Sequence, residues 1–284
     1  MTRKSNTQPR EKVTPGKVLA FLSKDGEWYS GEDLALRLGI SRAAIAKHIA
    51  HLRRDGHVIE SITNRGYRLA VPAEPMSRQT AAEHLETVIL GRSEWRVLRE
   101  TSSTNNEAIA WALAGAETGV LVTADLQTGG KGRKGHRWFS SPHALQFSLI
   151  LRPSNKRLKD DSVMDAALEA IRQAVDECAG VTARIKKPND LYVGERKIAG
   201  VLIESGTRAG EPDWLALGIG CNVNVPPDTF PKEIRDKVAS LYEISGKVTS
   251  RNRLLAVFLN RLEARLAAFE PAPSNRKRRP PRQK

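Results

Sequence analysis

Apolar and polar positions near the N-terminal end of the chain follow the periods of three short helices. One helix is predicted over Val13–Leu22 and a second over Gly31–Leu38, where Ser30 is a suitable N-cap. The third is predicted over Ser41–Arg54. Its apolar residues recur at i, i+4 and i+7 and mark the buried side: Ile45, Ile49 and Leu52. Two helices joined by a short turn that contains a glycine predict a helix-turn-helix.

Alternating apolar and polar residues after the third helix predict two short strands, Val58–Ile62 and Gly66–Leu69. The two strands would form the wing of a winged helix, with a cation at its tip. The second helix of a helix-turn-helix enters the major groove of DNA, and cations remain on its outer side. We therefore predict that this block binds DNA, with a protein-contact module as the alternative. The residues predicted to contact DNA are Arg42, Lys47, His48 and Arg65.

Helical and strand patterns mix through the longer remaining part of the chain. Two prolines in Val71–Pro75 mark a linker, and alternating segments such as Leu145–Leu149 predict strands among the helices. The whole pattern predicts an α+β protein. Its parts are a winged helix-turn-helix over residues 13–70, a linker over 71–78, a mixed α/β domain over 79–270 and a basic tail over 271–284.

A surplus of positive charge is the unusual feature of the composition. The 284 residues include 46 Lys and Arg against 32 Asp and Glu, which gives a net charge of +14. Such a surplus indicates a polyanionic partner such as nucleic acid. Part of it is local, since six of the last ten residues are Lys or Arg. We predict a disordered tail there, and a solvated tail is favoured over one that contacts nucleic acid specifically.

Several features indicate a cytoplasmic protein that does not bind a membrane. No apolar run reaches the length of a membrane span, and Met1–Lys12 has no apolar stretch behind it that would make a secretory signal. The two cysteines, Cys178 and Cys221, form neither a metal-ligand cluster nor a C-x-x-C pair. We therefore expect reduced, buried thiols.

A glycine-rich basic loop, Gly129–Trp138, is the strongest candidate for a binding site. Its glycines alternate with five cationic or potentially cationic side chains, and it follows a predicted strand over Thr118–Thr123. Glycines let backbone N–H groups approach a ligand, and lysine and arginine supply charge for a phosphate or carboxylate. The spacing differs from that of a P-loop, and no helix follows as in a dinucleotide site. We predict an anion-binding loop, with a solvated basic turn as the alternative.

Five segments of the chain resemble those of a known family in their order and spacing. They are Ser103–Asn105, Gly129–Trp138, Lys186–Tyr192, Arg196–Glu204 and Gly218–Asn224. Together they resemble the biotin protein ligases over roughly residues 12–270. The N-terminal block is similar to that of ligases which also repress biotin synthesis. The resemblance implies a class II synthetase-like mixed α/β catalytic domain.

The resemblance also implies a two-step reaction and a set of partners. The biotin carboxylate attacks the α-phosphate of ATP, with Mg²⁺ present, to give biotinyl-5′-AMP and pyrophosphate. A lysine of a carrier protein, such as the biotin carboxyl carrier protein of acetyl-CoA carboxylase, then takes the biotin and expels AMP. Operator DNA and a second copy of the chain, paired when ligand is bound, are the further implied partners. Charge stabilisation and exclusion of water are the main demands of this chemistry.

Particular residues match the family's biotin-binding positions. The set is Ser103, Thr104, Asn105, Gln127, Lys131, Gly132, Arg133 and Lys186. Lys186 is implied to lie between the carboxylate and the α-phosphate, and it is the implied catalytic residue together with Arg133. From the residues alone, Ser103 and Thr104 are also a normal helix start, and Lys186 is also a normal solvated lysine.

A second set matches the nucleotide-binding positions. The set is Arg133, Lys134, Trp138, Asn189 and Asn222. Trp138 would offer an aromatic face to adenine, although a role in the core is an equal alternative. Asp190 and Asn222 are candidates for holding Mg²⁺ or the nucleotide, because Mg²⁺ needs few carboxylates when phosphates bind it. No metal ligand is assigned.

Three departures from the family pattern leave other functions open. Lys187 stands where the family has tryptophan, and Lys131 and His136 stand where arginine is typical. We also expect that the family's small C-terminal β-barrel is missing after a last helix predicted over Ser250–Glu270. One alternative is a biotin-sensing DNA-binding regulator with weak or no transfer activity. The other is a lipoate or octanoyl transferase relative.

Overall fold

The computed structural model describes residues 13–24, 26–152, 160–208 and 211–267, without the side chains of residues 211 and 212. The chain divides after Glu74 into two compact units. Met1–Lys12, the basic tail over 271–284 and the end of the predicted last helix lie outside the described residues. The missing barrel therefore stays a prediction.

The N-terminal unit is a helix-turn-helix followed by a two-stranded wing, as the sequence pattern predicts. Its elements are α1 (Pro15–Leu22), α2 (Gly31–Leu38), α3 (Arg42–Arg54), β1 (Val58–Ile62) and β2 (Gly66–Val71). The hydroxyls of Ser30 and Ser41 accept hydrogen bonds from the backbone N–H groups of Asp33 (3.0 Å) and Ala44 (3.1 Å) and so fix the starts of α2 and α3. The predicted buried side of α3 is confirmed: Ile45, Ile49 and Leu52 are buried.

The segment predicted as a linker is structured at both of its ends. Val71 is fully buried and pairs with Val58, so it belongs to β2. Ser77 caps the short helix α4 (Arg78–Ala82), and its backbone N–H donates to the Asn252 side chain at 2.8 Å. The sequence pattern missed both features because prolines at 72 and 75 dominate the local signal.

The C-terminal unit is built on one mixed sheet of seven strands. Its remaining elements are β3 (Trp95–Thr101), α5 (Thr104–Leu113), β4 (Leu121–Gln127), β5 (Leu145–Leu151), α6 (Asp160–Ala179), β6 (Arg184–Lys186), β7 (Asp190–Val193), β8 (Arg196–Arg208), β9 (Glu211–Cys221), α7 (Lys232–Arg235), α8 (Leu241–Ser245) and α9 (Arg251–Ala267). The strand order is β3-β4-β5-β9-β8-β7-β6, and only β3 and β4 run parallel. The predicted α+β class is confirmed.

The two faces of this sheet are covered by different helices, which explains why all of β5 is buried. Phe147 and Leu149 pack into a core with α6 and α9, and Ile150 packs into a second core with α5. Because strand residues alternate between faces, Gln146 and Ser148 share the α5 face with Ile150. Two buried polar side chains therefore lie on that face, near the start of α5.

Both cysteines are kept as neutral thiols by burial. Desolvation raises the pKa of Cys178 to about 11 and that of Cys221 to about 12. Cys221 is buried as expected, whereas Cys178 is only partly buried.

Among the described residues, no helix is both long enough and apolar enough to cross a membrane.

Candidate functional site

A cleft of about 180 Å³ opens where α5 begins, over the glycines of the two central strands. Gly200 of β8 pairs with Gly220 of β9, and Gly218 lies two residues before Gly220 on the same strand. These glycines, the Ser103–Asn105 triplet and the basic loop line the same space. The structure therefore brings residues from all five family-like segments to one cleft.

Two glycines of β9 are required by close approach of other side chains. A Cβ on Gly218 would lie 2.3 Å from Asn105 Oδ1, and a Cβ on Gly220 would lie 2.5 Å from Trp138 Cε2. Real Cβ atoms do not come this close to other atoms. Gly218 thus admits the Asn105 amide, and Gly220 admits the indole ring, into the floor of the cleft.

The Ser103–Asn105 triplet is buried at the first turn of α5. Ser103 occupies the N-cap position, but its hydroxyl makes no capping hydrogen bond. Thr104 is the first helical residue, so α5 begins four residues before its apolar run starts at Ala108. Capping therefore explains the backbone position of Ser103 and does not use its side chain.

Hydrogen bonds hold the triplet against β4, β5 and β8. The Thr104 backbone N–H donates to Gln127 Oε1 at 2.8 Å, and Ser148 Oγ lies 2.8 Å from Thr104 Oγ1. Asn105 Nδ2 donates to Glu204 Oε2 at 2.9 Å. The polar groups at this end of the cleft are thus preorganised.

The basic loop folds back on itself over the cleft. The Gly132 N–H donates to the His136 carbonyl at 2.7 Å, and Lys131 Nζ lies 3.4 Å from Glu204 Oε1. Arg133 begins a 3₁₀ turn, in which Lys134 has a φ of 54°. Lys131, Gly132 and Arg133 line the cleft, whereas Lys134 does not.

A second lysine that lines the cleft, besides Lys131 of the loop, is Lys197, which the sequence pattern did not single out. Its Nζ lies 2.5 Å from Asp190 Oδ1 and 5.7 Å from the ring centroid of Trp138. The side chains of Lys197 and Asp190 are about three-quarters buried, at 25% and 21% exposure. A largely buried ammonium beside a tryptophan ring is suited to bind an anionic ligand.

Lys186, in contrast, does not reach the cleft. It is exposed at the end of the edge strand β6, and its Nζ lies 4.5 Å from the ring centroid of Tyr192. The next residue, Lys187, forms an exposed ion pair with Asp165 of α6. The structure therefore does not place Lys186 where the resemblance implies.

The two predicted asparagines have different positions. Asn189 lines the cleft, and its Nδ2 donates to the Val201 carbonyl at 2.9 Å. Asn222 is buried outside the cleft lining, and its Nδ2 donates to the Ala239 carbonyl at 3.1 Å. Asn222 thus has a structural bond that accounts for its amide.

Carboxylates are sparse around the cleft. Asp190 is the one carboxylate among the described residues that line it. No group of three or more His, Cys, Asp or Glu within the described residues is arranged to hold a metal. One carboxylate fits a Mg²⁺ ion that is bound mainly by nucleotide phosphates.

The N-terminal unit carries a separate set of predicted contact residues. Arg42 and Lys47 are exposed on α3 and form no ion pair with another described residue, while His48 is partly buried. Arg65 is exposed at the turn of the wing, and its guanidinium lies 4.7 Å from the ring centroid of Trp28. The predicted DNA contacts thus lie on α3, the second helix of the helix-turn-helix, and on the turn of the wing.

Comparisons with known proteins agree with both units. Residues 96–224 match the biotin/lipoate A/B protein ligase family, and residues 17–68 match a helix-turn-helix domain. The bifunctional ligase/repressor BirA of Bacillus subtilis is 34% identical over 234 residues, covering 81% of this chain and 71% of that protein. BirA of Escherichia coli is 28% identical over 92% of this chain and 79% of that protein. The structure is similar to the biotin protein ligase from Aquifex aeolicus in complex with biotin and ATP, with a TM-score of 0.55 and 33% identity over 62% of this chain and 72% of that one.

Proposed function

The chain belongs to the biotin protein ligase family, and on that premise we propose that it joins biotin to AMP and transfers the biotin to a lysine of a carrier protein. Biotin and ATP are its substrates. The observation that carries the proposal is one cleft that is lined by both a buried polar triplet and a cationic glycine loop. The polar triplet suits the neutral ureido ring of biotin, which both donates and accepts hydrogen bonds. The cationic loop suits the phosphates of ATP.

Lys197, rather than Lys186, is the lysine we assign to the reacting atoms. In the first step an oxygen of the biotin carboxylate attacks the α-phosphorus, and the bond to the β-phosphate oxygen breaks to release pyrophosphate. The attacking group is already ionised, so the step needs no general base. Lys197 would reduce repulsion between carboxylate and phosphate and would stabilise the charge that develops. Arg133, in the loop above, is the second cation we assign to the phosphate.

The second step requires that water be kept from the mixed anhydride. The uncharged amine of a carrier-protein lysine attacks the biotinyl carbonyl, the bond to the AMP oxygen breaks, and the nitrogen gives up one proton to solvent as the amide forms. The loop over the cleft, held by the Lys131–Glu204 ion pair at 3.4 Å, would exclude water during this interval. The carrier protein of a biotin-dependent carboxylase is the partner that this step implies.

Asp190 is the residue we propose to bind Mg²⁺. It is the carboxylate that lines the cleft among the described residues, and Mg²⁺ with ATP usually binds one or two such groups. When bound, the ion would neutralise part of the phosphate charge.

Pyrophosphate release and carrier labelling together test the proposed function. The purified chain should release pyrophosphate from ATP only when biotin is present, and it should then label a biotin carboxyl carrier domain. A chain that binds biotin and DNA but labels no carrier would be the biotin-sensing regulator. Lipoate or octanoate used in preference to biotin would identify the transferase relative.

Arg133→Gly should shorten the lifetime of the bound adenylate. Arg133 is exposed in the 3₁₀ turn of the loop and lines the cleft, so its loss removes a charge-assisted contact to phosphate. We expect the dissociation rate of biotinyl-5′-AMP to rise by roughly tenfold to a hundredfold, and biotin binding alone to change less. The measurement is a chase of radiolabelled adenylate.

Lys134→Gly is the matched control for that measurement. Lys134 neighbours Arg133 but does not line the cleft, and its φ of 54° is one that glycine adopts easily. Its adenylate lifetime should stay close to that of the wild type. Equal loss in both variants would mean that loop conformation, rather than the Arg133 charge, retains the ligand.

The second function is repression through DNA binding by the N-terminal unit. Helix α3 offers Arg42 and Lys47 at its N-terminal half, the part of a recognition helix that meets base edges and phosphates. We propose that these two cations, His48 and Arg65 contact the operator. We also propose a ligand-dependent homodimer, since one winged helix offers only a small contact area on DNA. Sedimentation with and without biotin and ATP tests the pairing.

Lys47→Ala should weaken operator binding and flatten its dependence on salt. The substitution removes one phosphate contact from each copy of the proposed homodimer, so the slope of log affinity against log salt should fall by about 2 and the affinity by roughly tenfold or more. Lys232→Ala, an exposed lysine of α7 in the other unit, is the control and should change neither quantity. An unchanged salt slope for Lys47→Ala would remove α3 from the DNA contact.

A further inference from the structure

Gln146 is a buried polar residue of β5 that belongs to none of the family-like segments. Its side chain is 1% exposed and contacts Gln127, which lines the cleft. A buried amide needs partners for both its oxygen and its nitrogen. What those partners are determines how both glutamines are oriented.

Backbone groups at the two ends determine which atom of each glutamine amide is the oxygen and which is the nitrogen. The Thr104 backbone N–H can only donate, so the Gln127 atom 2.8 Å away must be Oε1. Gln127 Nε2 then donates to Gln146 Oε1 at 3.0 Å. At the far end, Gln146 Nε2 donates to the carbonyls of Asp125 (3.2 Å) and Ser141 (3.3 Å), which can only accept. Reversing either amide would set like groups against each other.

This arrangement determines what Gln127 can offer to a ligand. Its oxygen already accepts from both the N–H and, at 3.2 Å, the hydroxyl of Thr104. One of the two Nε2 hydrogens is used by Gln146, and one remains. Towards the cleft, Gln127 is therefore an N–H donor.

We propose that Gln146 is a positioning residue that holds Gln127 as a donor to an acceptor oxygen of biotin. The inference rests on the proposed function and adds to it the residue that, together with Thr104, fixes the orientation of the Gln127 amide. Gln146 itself does not line the cleft, so it acts through Gln127.

Gln146→Met is the variant that tests the role. Methionine keeps the length and volume of the side chain but has no strong acceptor for Gln127 Nε2. Gln127 would then be held only through its oxygen, by Thr104, and the direction of its Nε2 group would no longer be fixed. We expect the dissociation constant for biotin to rise about tenfold while the KM for ATP stays within about twofold. Equal changes in both constants, together with a lower Tm, would indicate a merely structural role and overturn the proposal.

A double variant separates action through Gln127 from independent effects. If Gln146 acts through Gln127, then Gln127→Met with Gln146→Met should bind biotin no more weakly than Gln127→Met alone. Losses that add in the double variant would overturn the inference.

A reversed-polarity variant keeps the inference testable should Gln146→Met fail to fold. Gln127→Glu replaces the donor with a carboxylate oxygen, and it should bind biotin more weakly than Gln127→Met. Binding as tight as that of Gln127→Met, or tighter, would overturn it. Wild-type protein that does not bind biotin by calorimetry would instead refute the proposed function.

Discussion

Lys197→Met should reduce the rate of biotinyl-5′-AMP formation by roughly 10²–10³, the cost of losing one preorganised charge at a reacting phosphate. Lys197 lines the cleft, and its ammonium is fixed by Asp190 beside the ring of Trp138. Methionine keeps the length of the side chain and removes the charge. Pyrophosphate release under saturating biotin and ATP measures the loss.

Lys186→Met is the matched control, because it removes the same charge eleven residues earlier. Lys186 is exposed on β6 and stacks on Tyr192 rather than lining the cleft. Its adenylation rate should remain within about threefold of the wild type, as for the loss of an exposed charge. A large loss at Lys186 with little loss at Lys197 would reverse our assignment. Thermal unfolding of both variants shows whether either has lost its fold.

Gly218→Ala should weaken biotin binding by roughly tenfold to a hundredfold, because it displaces Asn105. The added methyl group would lie 2.3 Å from Asn105 Oδ1. Asn105 is 3% exposed and bonds to Ser148 and Glu204, so its side chain cannot move without breaking these bonds. Calorimetric titration with biotin measures the effect.

Relief of the clash provides the control for Gly218→Ala. Replacing Asn105 by alanine removes the atom that the new methyl group meets. The double variant Asn105→Ala with Gly218→Ala should therefore bind biotin about as well as Asn105→Ala alone. A further loss in the double variant would show that Gly218 affects the cleft by another route, such as a shift of β9.

Much of the fold follows from local patterns of the sequence. The apolar residues Ile45, Ile49 and Leu52 predict the buried side of α3, and serines at both starts predict the caps that the structure contains. The limits of the linker could not be predicted from local sequence patterns. Val71 is buried through pairing with Val58, thirteen residues earlier, and such pairing leaves no local signal.

The candidate site was predicted in part, and the lysines show where prediction fails. The triplet and the loop lie in ordered motifs, Gln127 matches a single family position, and the structure brings them to one cleft. Lys186 and Lys197 both lie in family-like motifs, but which of them faces the cleft depends on how β6, β7 and β8 pair. A register shift between Leu191 and Tyr192 changes that pairing. One available signal was Gly200, three residues after Lys197, which pairs with Gly220.

The burial of the two thiols has a practical consequence for studying this chain. Near pH 8, a thiol with a pKa of about 11 is ionised to roughly one part in a thousand. The thiolate is the form that reacts with maleimides, and Cys221 is still less acidic than Cys178. Because the sequence contains only these two cysteines, we expect little reaction of the existing thiols during site-directed labelling. A dye or spin label can be attached to a cysteine introduced at a chosen surface position without first replacing Cys178 and Cys221.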